Sequence, residues 1–318
     1  MFALLAESFL ATFAALVKVA VVIVVSAWLV RKEIFNETHI RALTGVVVNL
    51  ALPCLIFESI IHNFEVSAFP NWWKFPLLGA GLTGVALTLA LVVFWRDKEL
   101  GYTLSALAAF QNAGYLILPI AEVLFPEQFG RFSVYLFLML LSYMPLLWSL
   151  AKLLVSHRKG TAIKLNQVFT VPFYAALLAM LLVFSKFDRF LPSPVLGSVE
   201  LVGRSCVPLA TVVLGFTMGA LKVNRLPSFS NASRVVTLKL VVVPLLMLLV
   251  LKYTSLSSDS LENAFWILQA SSPPATALAL QAIHYGGDEK LVCGILVIAY
   301  LVALFTIPVF YSIVEVML

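Results

Sequence analysis

Polar residues are sparse along this chain and fall in short clusters between long apolar runs. The runs lie at about 8–30, 40–61, 73–95, 101–124, 131–156, 167–185, 195–221, 233–252, 262–284 and 290–315. Stretches such as 14–30 and 235–251 are apolar on every side, which suits a helix in lipid and not a barrel strand, whose residues alternate. The pattern predicts an all-α membrane protein of ten transmembrane helices joined by short polar turns. Composition agrees: 62% of the 318 residues are hydrophobic and 12% charged, against about a quarter charged in a soluble domain. Ten spans leave no room for a soluble domain.

Basic residues set an orientation. Connections after the first, third, fifth, seventh and ninth runs hold thirteen Lys and Arg, including Arg31, Lys32, Arg96, Arg158, Lys159, Lys164, Lys222 and Arg225; the other face holds five. The positive-inside rule makes the richer face cytoplasmic and puts both termini outside. No basic residue precedes the first run, and Arg31-Lys32 follows it where a cleavage site would need small residues, so this helix is expected to be retained. The net charge of +5 reflects these loops and does not indicate nucleic acid. Cys54, Cys206 and Cys293 sit in apolar runs, and the four histidines His39, His62, His157 and His284 lie near loops. No zinc, nucleophile-elbow or phosphate-loop motif appears. An intramembrane enzyme, a metal site and a cofactor are therefore not expected.

The halves resemble one another. Pro53 pairs with Pro208, Gln111-Asn112 with Ser271-Ser272, and Pro145 with Pro308, at offsets of 155, 160 and 163 residues. Five spans per half, 1–156 and 167–318, is an odd number, so the halves insert in opposite senses as a 5+5 inverted repeat. Spans four and nine each look interrupted at membrane depth. Ser272-Pro273-Pro274 offers a cap and prolines for a helix restart; Asn112 offers a cap and Gly114 a relaxed backbone ahead of Pro119. Matching breaks in two repeats point to a binding site.

The chain resembles the auxin efflux carrier family, which includes the plant PIN-FORMED carriers and bacterial malate and malonate permeases. The resemblance rests on Asn49-Leu-Ala-Leu-Pro53 with Leu55 and Phe57, Asn112-x-Gly114 with Pro119, Pro273 with Tyr285-Gly286, and Thr306-x-Pro308. It runs through both halves. Ile117 stands where bacterial members commonly have a second glycine, and Ser272 where they have methionine. The short connection between halves suits a prokaryotic inner (plasma) membrane protein. The family implies a scaffold of spans 1, 2, 6 and 7, a transport unit of spans 3–5 and 8–10 whose broken helices 4 and 9 cross, elevator-like alternating access, and a homodimer.

On that basis the expected function is secondary transport of a small organic anion, a mono- or dicarboxylate, with substrate held by Gln111, Asn112, Gly114, Ser271, Ser272, Pro273 and Thr276 beside the positive ends of two half-helices. Lys18, near the middle of the first span, either attracts the anion or pairs and snorkels. Proton coupling would use Glu122, His284 or Glu58; sodium coupling would use oxygens such as those of Gln111, Ser271 and Gln281. Pro53, Pro119, Pro208, Pro274 and Pro308 are expected breaks or hinges. Arg204 is expected to pair with Glu200 four residues before it, and Lys239 to snorkel. The alternatives are a sodium-coupled bile-acid-type symporter and a ligand sensor that does not transport.

Overall fold

A computed structural model describes residues 2–67, 69–156, 168–221, 227–254, 256–257 and 259–317. His157, Arg158, Lys159, Lys164, Lys222 and Arg225, used above for orientation or among the histidines, lie outside the described residues. In chain order the helices are α1 (Phe2–Arg31), α2 (Glu37–Asn63), α3 (Lys74–Phe94), α4 (Lys98–Ala109), α5 (Ile117–Leu124), α6 (Pro126–Val155), α7 (Val171–Ser185), α8 (Ser193–Ala220), α9 (Phe229–Tyr253), α10 (Ser260–Ser271), α11 (Ala277–Tyr285) and α12 (Glu289–Met317). Each predicted run is one helix or, for the fourth and ninth, a pair of half-helices. Seven helices, α1, α2, α3, α6, α8, α9 and α12, are long and apolar enough to cross a membrane.

Proline shapes several of these helices without ending them. A residue lacking N–H frees a carbonyl one turn back, and a wider turn absorbs the mismatch. In α2 the turn Val47–Ala51 precedes Pro53, and Leu52 N–H reaches back five residues to Val47 O. In α9 the turn Leu238–Val242 precedes Pro244, and Val243 N–H bonds Leu238 O. Pro208 follows a two-residue turn at Arg204-Ser205 that offsets the two parts of α8. Pro308 lies inside an unbroken α12, so it is not a break.

The helices pack in two groups. α1 lies along α8, and α2 lies against α7 and α8. Small residues make the α1–α8 contact: a Cβ at Gly215 would stand 2.6 Å from Ile23 O, and one at Gly219 2.6 Å from Ala27 O. This spacing of four is the close-approach pattern of lipid-embedded helices. In the second group α3 packs on α4 and α6, and α10 on α9 and α12. Phe75, Tyr135, Phe265 and Trp266 stack at its centre. Two ion pairs brace it: Lys74 to Glu262 at 2.7 Å, with Trp266 Nε1 donating to the same carboxylate at 3.2 Å, and Arg234 to Asp97 through two bonds of 2.8 and 3.0 Å. The groups meet along α1–α12 and α2–α6.

Arg204 pairs with Glu200 as expected. Lys239 does not snorkel. It is fully buried on the wide turn of α9, its Nζ has no hydrogen-bond acceptor among the described residues, and that turn packs against α4, α10 and α12.

Candidate functional site: a crossing of two unwound segments

Helix α4 stops at Ala109 and α5 begins at Ile117; α10 stops at Ser271 and α11 begins at Ala277. The intervening segments cross and pair. Asn112 N–H donates to Pro273 O at 2.7 Å and Ala275 N–H to Phe110 O at 2.9 Å, forming an antiparallel bridge between Gln111 and Pro274. Ser272, ahead of Pro273, is extended with ψ 137°, the conformation a following proline enforces. Two consecutive prolines also remove two N–H donors that this depth would leave unsatisfied, each at a cost of several kcal/mol.

Side chains satisfy the remaining carbonyls. Ser272 Oγ donates to Asn112 O at 3.0 Å, Gln269 Nε2 to Ala113 O at 3.2 Å, and Tyr143 Oη to Gln111 O. The Asn112 amide donates to Tyr300 Oη on α12. Two expected caps are thereby corrected. Asn112 is turned toward α12, and Ser272 donates across the crossing; neither caps a restarting helix, since Leu116 and Thr276 hold those positions without side-chain caps. The backbone at Gly114 needs no glycine: its φ is not positive and a Cβ there would meet nothing within 4 Å. Its missing side chain leaves space.

That space belongs to a cavity of about 120 Å³ at the seam between the two helix groups. One wall is the crossing, with Gln111, Asn112, Gly114 and Thr276; another is α6, with Tyr143, Met144 and Trp148; the third is Val47 and Leu52 of α2, Thr170, and Cys206 and Ala210 of α8. The lining is predominantly apolar and holds no cationic side chain among the described residues. Three of its polar side chains have buried atoms without partners among the described residues: both amide atoms of Gln111, Trp148 Nε1 and Thr170 Oγ1. A buried donor without an acceptor costs about 1–3 kcal/mol. Three such side chains belong to residues that line one cavity, within reach of a ligand there after a change of rotamer.

A larger cavity of about 340 Å³ lies across the crossing between α1, α8 and α12, with Leu16, Ile23, Met218 and Leu304 in its wall. Its polar groups make one printed bond each: Tyr300 Oη accepts from the Asn112 amide, and one nitrogen of the Arg31 guanidinium donates to Leu221 O at 2.6 Å. Size and the Arg31 guanidinium favour this second cavity, and the unpaired side chains of Gln111, Trp148 and Thr170, among the described residues, favour the first.

A sequence profile for a family described as membrane transport protein matches residues 11–167 and 156–311. The chain belongs to that family, the family of the auxin efflux carriers. It is a multi-pass membrane protein of a transporter family. It is 27% identical over 284 residues to an uncharacterized transporter of Methanothermobacter thermautotrophicus, covering 86% of this chain and 89% of the relative. It is 26% identical over 191 residues to an uncharacterized transporter of Methanocaldococcus jannaschii, covering 58% of this chain and 62% of the relative.

Within this family member the expected substrate residues divide. Gln111, Asn112, Gly114 and Thr276 line the cavity, while Ser272 and Pro273 hold the crossing from behind. Ser271 turns back to its own helix, donating to Ile267 O at 2.6 Å. Lys18 is exposed on the outer face of α1 and reaches neither cavity. Glu122 and His284 are exposed, and Glu58 is half-buried with His62 at 3.4 Å; none of the three lines either of these two cavities. Gln281 donates to Leu147 O at 2.9 Å. Pro119 is buried in the first turn of α5, and Pro274 forms the crossing bridge.

Trp148, Thr170, Tyr143 and Tyr300 were not expected. The first and the last two lie in apolar runs where an aromatic residue reads as packing. Thr170, before Val171-Pro172, carries the signature of a helix cap, yet it makes no cap bond. The missing cap bond is visible only in three dimensions.

Proposed function

We propose that this chain is a secondary carrier that holds a small organic anion, a carboxylate with an apolar body, in the crossing cavity and moves it by elevator-like alternating access. The observation that carries the proposal is the set of unpaired Gln111, Trp148 and Thr170 groups in an otherwise apolar space at the seam. Amide, indole and hydroxyl donors bind a carboxylate without a charged partner, and the α5 and α11 N-termini add positive dipole ends. A cation-free lining favours one carboxylate over two, since a second charge would have no counter-ion. The apolar walls suit an aliphatic or aromatic body.

The position of the cavity supports the division of labour. α1, α2, α7 and α8 would form the scaffold, and the helices that include both broken pairs would form the moving unit. A 5+5 inverted repeat is supported by the two ion pairs: Lys74 and Arg234 are 160 residues apart, Asp97 and Glu262 are 165 apart, and each pair links one half to the other. The charge asymmetry supports both termini outside, and family membership supports a homodimer in a prokaryotic plasma membrane. The sensor alternative predicts binding without flux.

Counterflow of radiolabelled phenylacetate into proteoliposomes tests the reading. Wild type should exchange the label above protein-free vesicles, and Gln111→Leu should cut exchange at least tenfold at equal insertion. Unchanged exchange in Gln111→Leu contradicts the site.

A further inference from the structure

Lys239 is an ionisable side chain that the proposed cycle leaves without a role while the fold buries it completely. It lies six residues into the apolar run 233–252, about 9 Å along the axis at 1.5 Å per residue, and so inside the hydrocarbon. Its Nζ has no acceptor among the described residues. It stands on the wide turn Leu238–Val242, a local distortion of the kind found at functional sites. That turn packs against α4 and α10, the first halves of both broken pairs, and against α12. α12 carries Tyr300, which takes the Asn112 amide, so the lysine and the crossing share a framework.

The surroundings hold little that could pair with it. On α4 the ionisable residues are Lys98, Glu99 and Tyr102, all in the first two turns. On α10 Glu262 is in the first turn, bound to Lys74. On α12 Glu289, Lys290 and Glu315 lie near the ends, with Cys293, Tyr300 and Tyr311 between. On α9 itself Arg234 is held by Asp97, and Lys252 and Tyr253 lie at the far end. Among the described residues of these elements, no carboxylate stands at the depth of Lys239.

We propose that Lys239 is the proton-coupling group of the carrier, a deeper form of the function proposed above and resting on it. Moving an unpaired charge through the bilayer is costly. An ammonium at Lys239 offsets one carboxylate at the crossing, so the loaded unit is net neutral; once the anion leaves, the proton leaves Nζ to the same side, and the empty unit returns with a neutral amine. One proton accompanies one carboxylate, and no net charge crosses.

The test uses reconstituted full-length protein and phenylacetate, with protein-free vesicles as baseline. Exchange at equal pH on both sides reports translocation alone; net uptake under an imposed pH gradient reports coupling. Wild type should show both, with net uptake indifferent to an imposed potassium diffusion potential. Lys239→Met should slow exchange, because the loaded unit then carries an uncompensated charge, and should leave the remaining net uptake responsive to the potassium diffusion potential and unresponsive to the pH gradient; Lys239→Gln should do the same. A pH-gradient response retained in either variant overturns the assignment of Lys239 while leaving the carrier function standing. Absence of exchange in the wild type overturns both. Should the variants fail to fold, a dye sensitive to pH trapped with wild-type protein decides: phenylacetate entry must bring protons with it, and entry without them overturns the proposal.

Discussion

Trp148→Phe separates a binding role from a structural one. The substitution keeps an aromatic ring in the cavity lining shared with Val47, Leu147 and Met144 and deletes one buried donor, Nε1, which has no acceptor among the described residues. No protein hydrogen bond is lost, so thermal stability in detergent should stay the same or rise, because an unpaired buried donor already costs about 1–3 kcal/mol. Substrate binding should move the other way. A hydrogen bond to a charged group contributes about 1.5–3 kcal/mol, and the lower figure, suited to a site that also holds water, corresponds to roughly tenfold in affinity. Competition of unlabelled phenylacetate against labelled counterflow measures that shift directly. A tenfold weaker half-inhibition with an unshifted melting temperature is expected. Unchanged competition, or a loss of binding matched by a loss of stability, refutes the assignment of Trp148 as an anion donor.

Gly114→Val should leave stability unchanged, because its Cβ enters open space, and should reduce exchange of phenylacetate more than of acetate, because it fills the cavity; equal loss for both probes counts against this. Glu262→Gln should lower the melting temperature by breaking its bond to Lys74, at less than the roughly 3–5 kcal/mol of a fully buried pair because Lys74 is 21% exposed, and the double change Lys74→Met with Glu262→Met should recover most of the loss. Gly219→Leu should force α1 from α8, with overpacking costing about 1–3 kcal/mol or more, read as a fall in melting temperature; a stable variant would mean that this contact yields easily.

Much of the fold was legible because lipid demands it: every apolar run had to be a helix, and the polar clusters had to be its ends. The breaks were legible too, since Gln111-Asn112 and Ser272-Pro273-Pro274 are incompatible with a continuous apolar helix. How the broken segments satisfy one another was not. Asn112 and Ser272 read as caps because capping is their commonest local use; in the fold each is claimed by a residue about 160 or more positions away, Tyr300 and the Asn112 carbonyl. Lys18 stayed open between two readings and Lys239 misled for one reason: depth along a helix is readable, but the direction a side chain faces depends on neighbours. Lys18 faces outward, while Lys239 is enclosed by three other helices.

The most direct measurement is a cryo-EM structure of the reconstituted protein with phenylacetate bound. The account predicts density in the crossing cavity, its carboxylate within hydrogen-bond reach of Gln111 and Trp148 and its ring against Leu52 and Met144. Density in the larger cavity between α1, α8 and α12, with the crossing cavity empty, would contradict it.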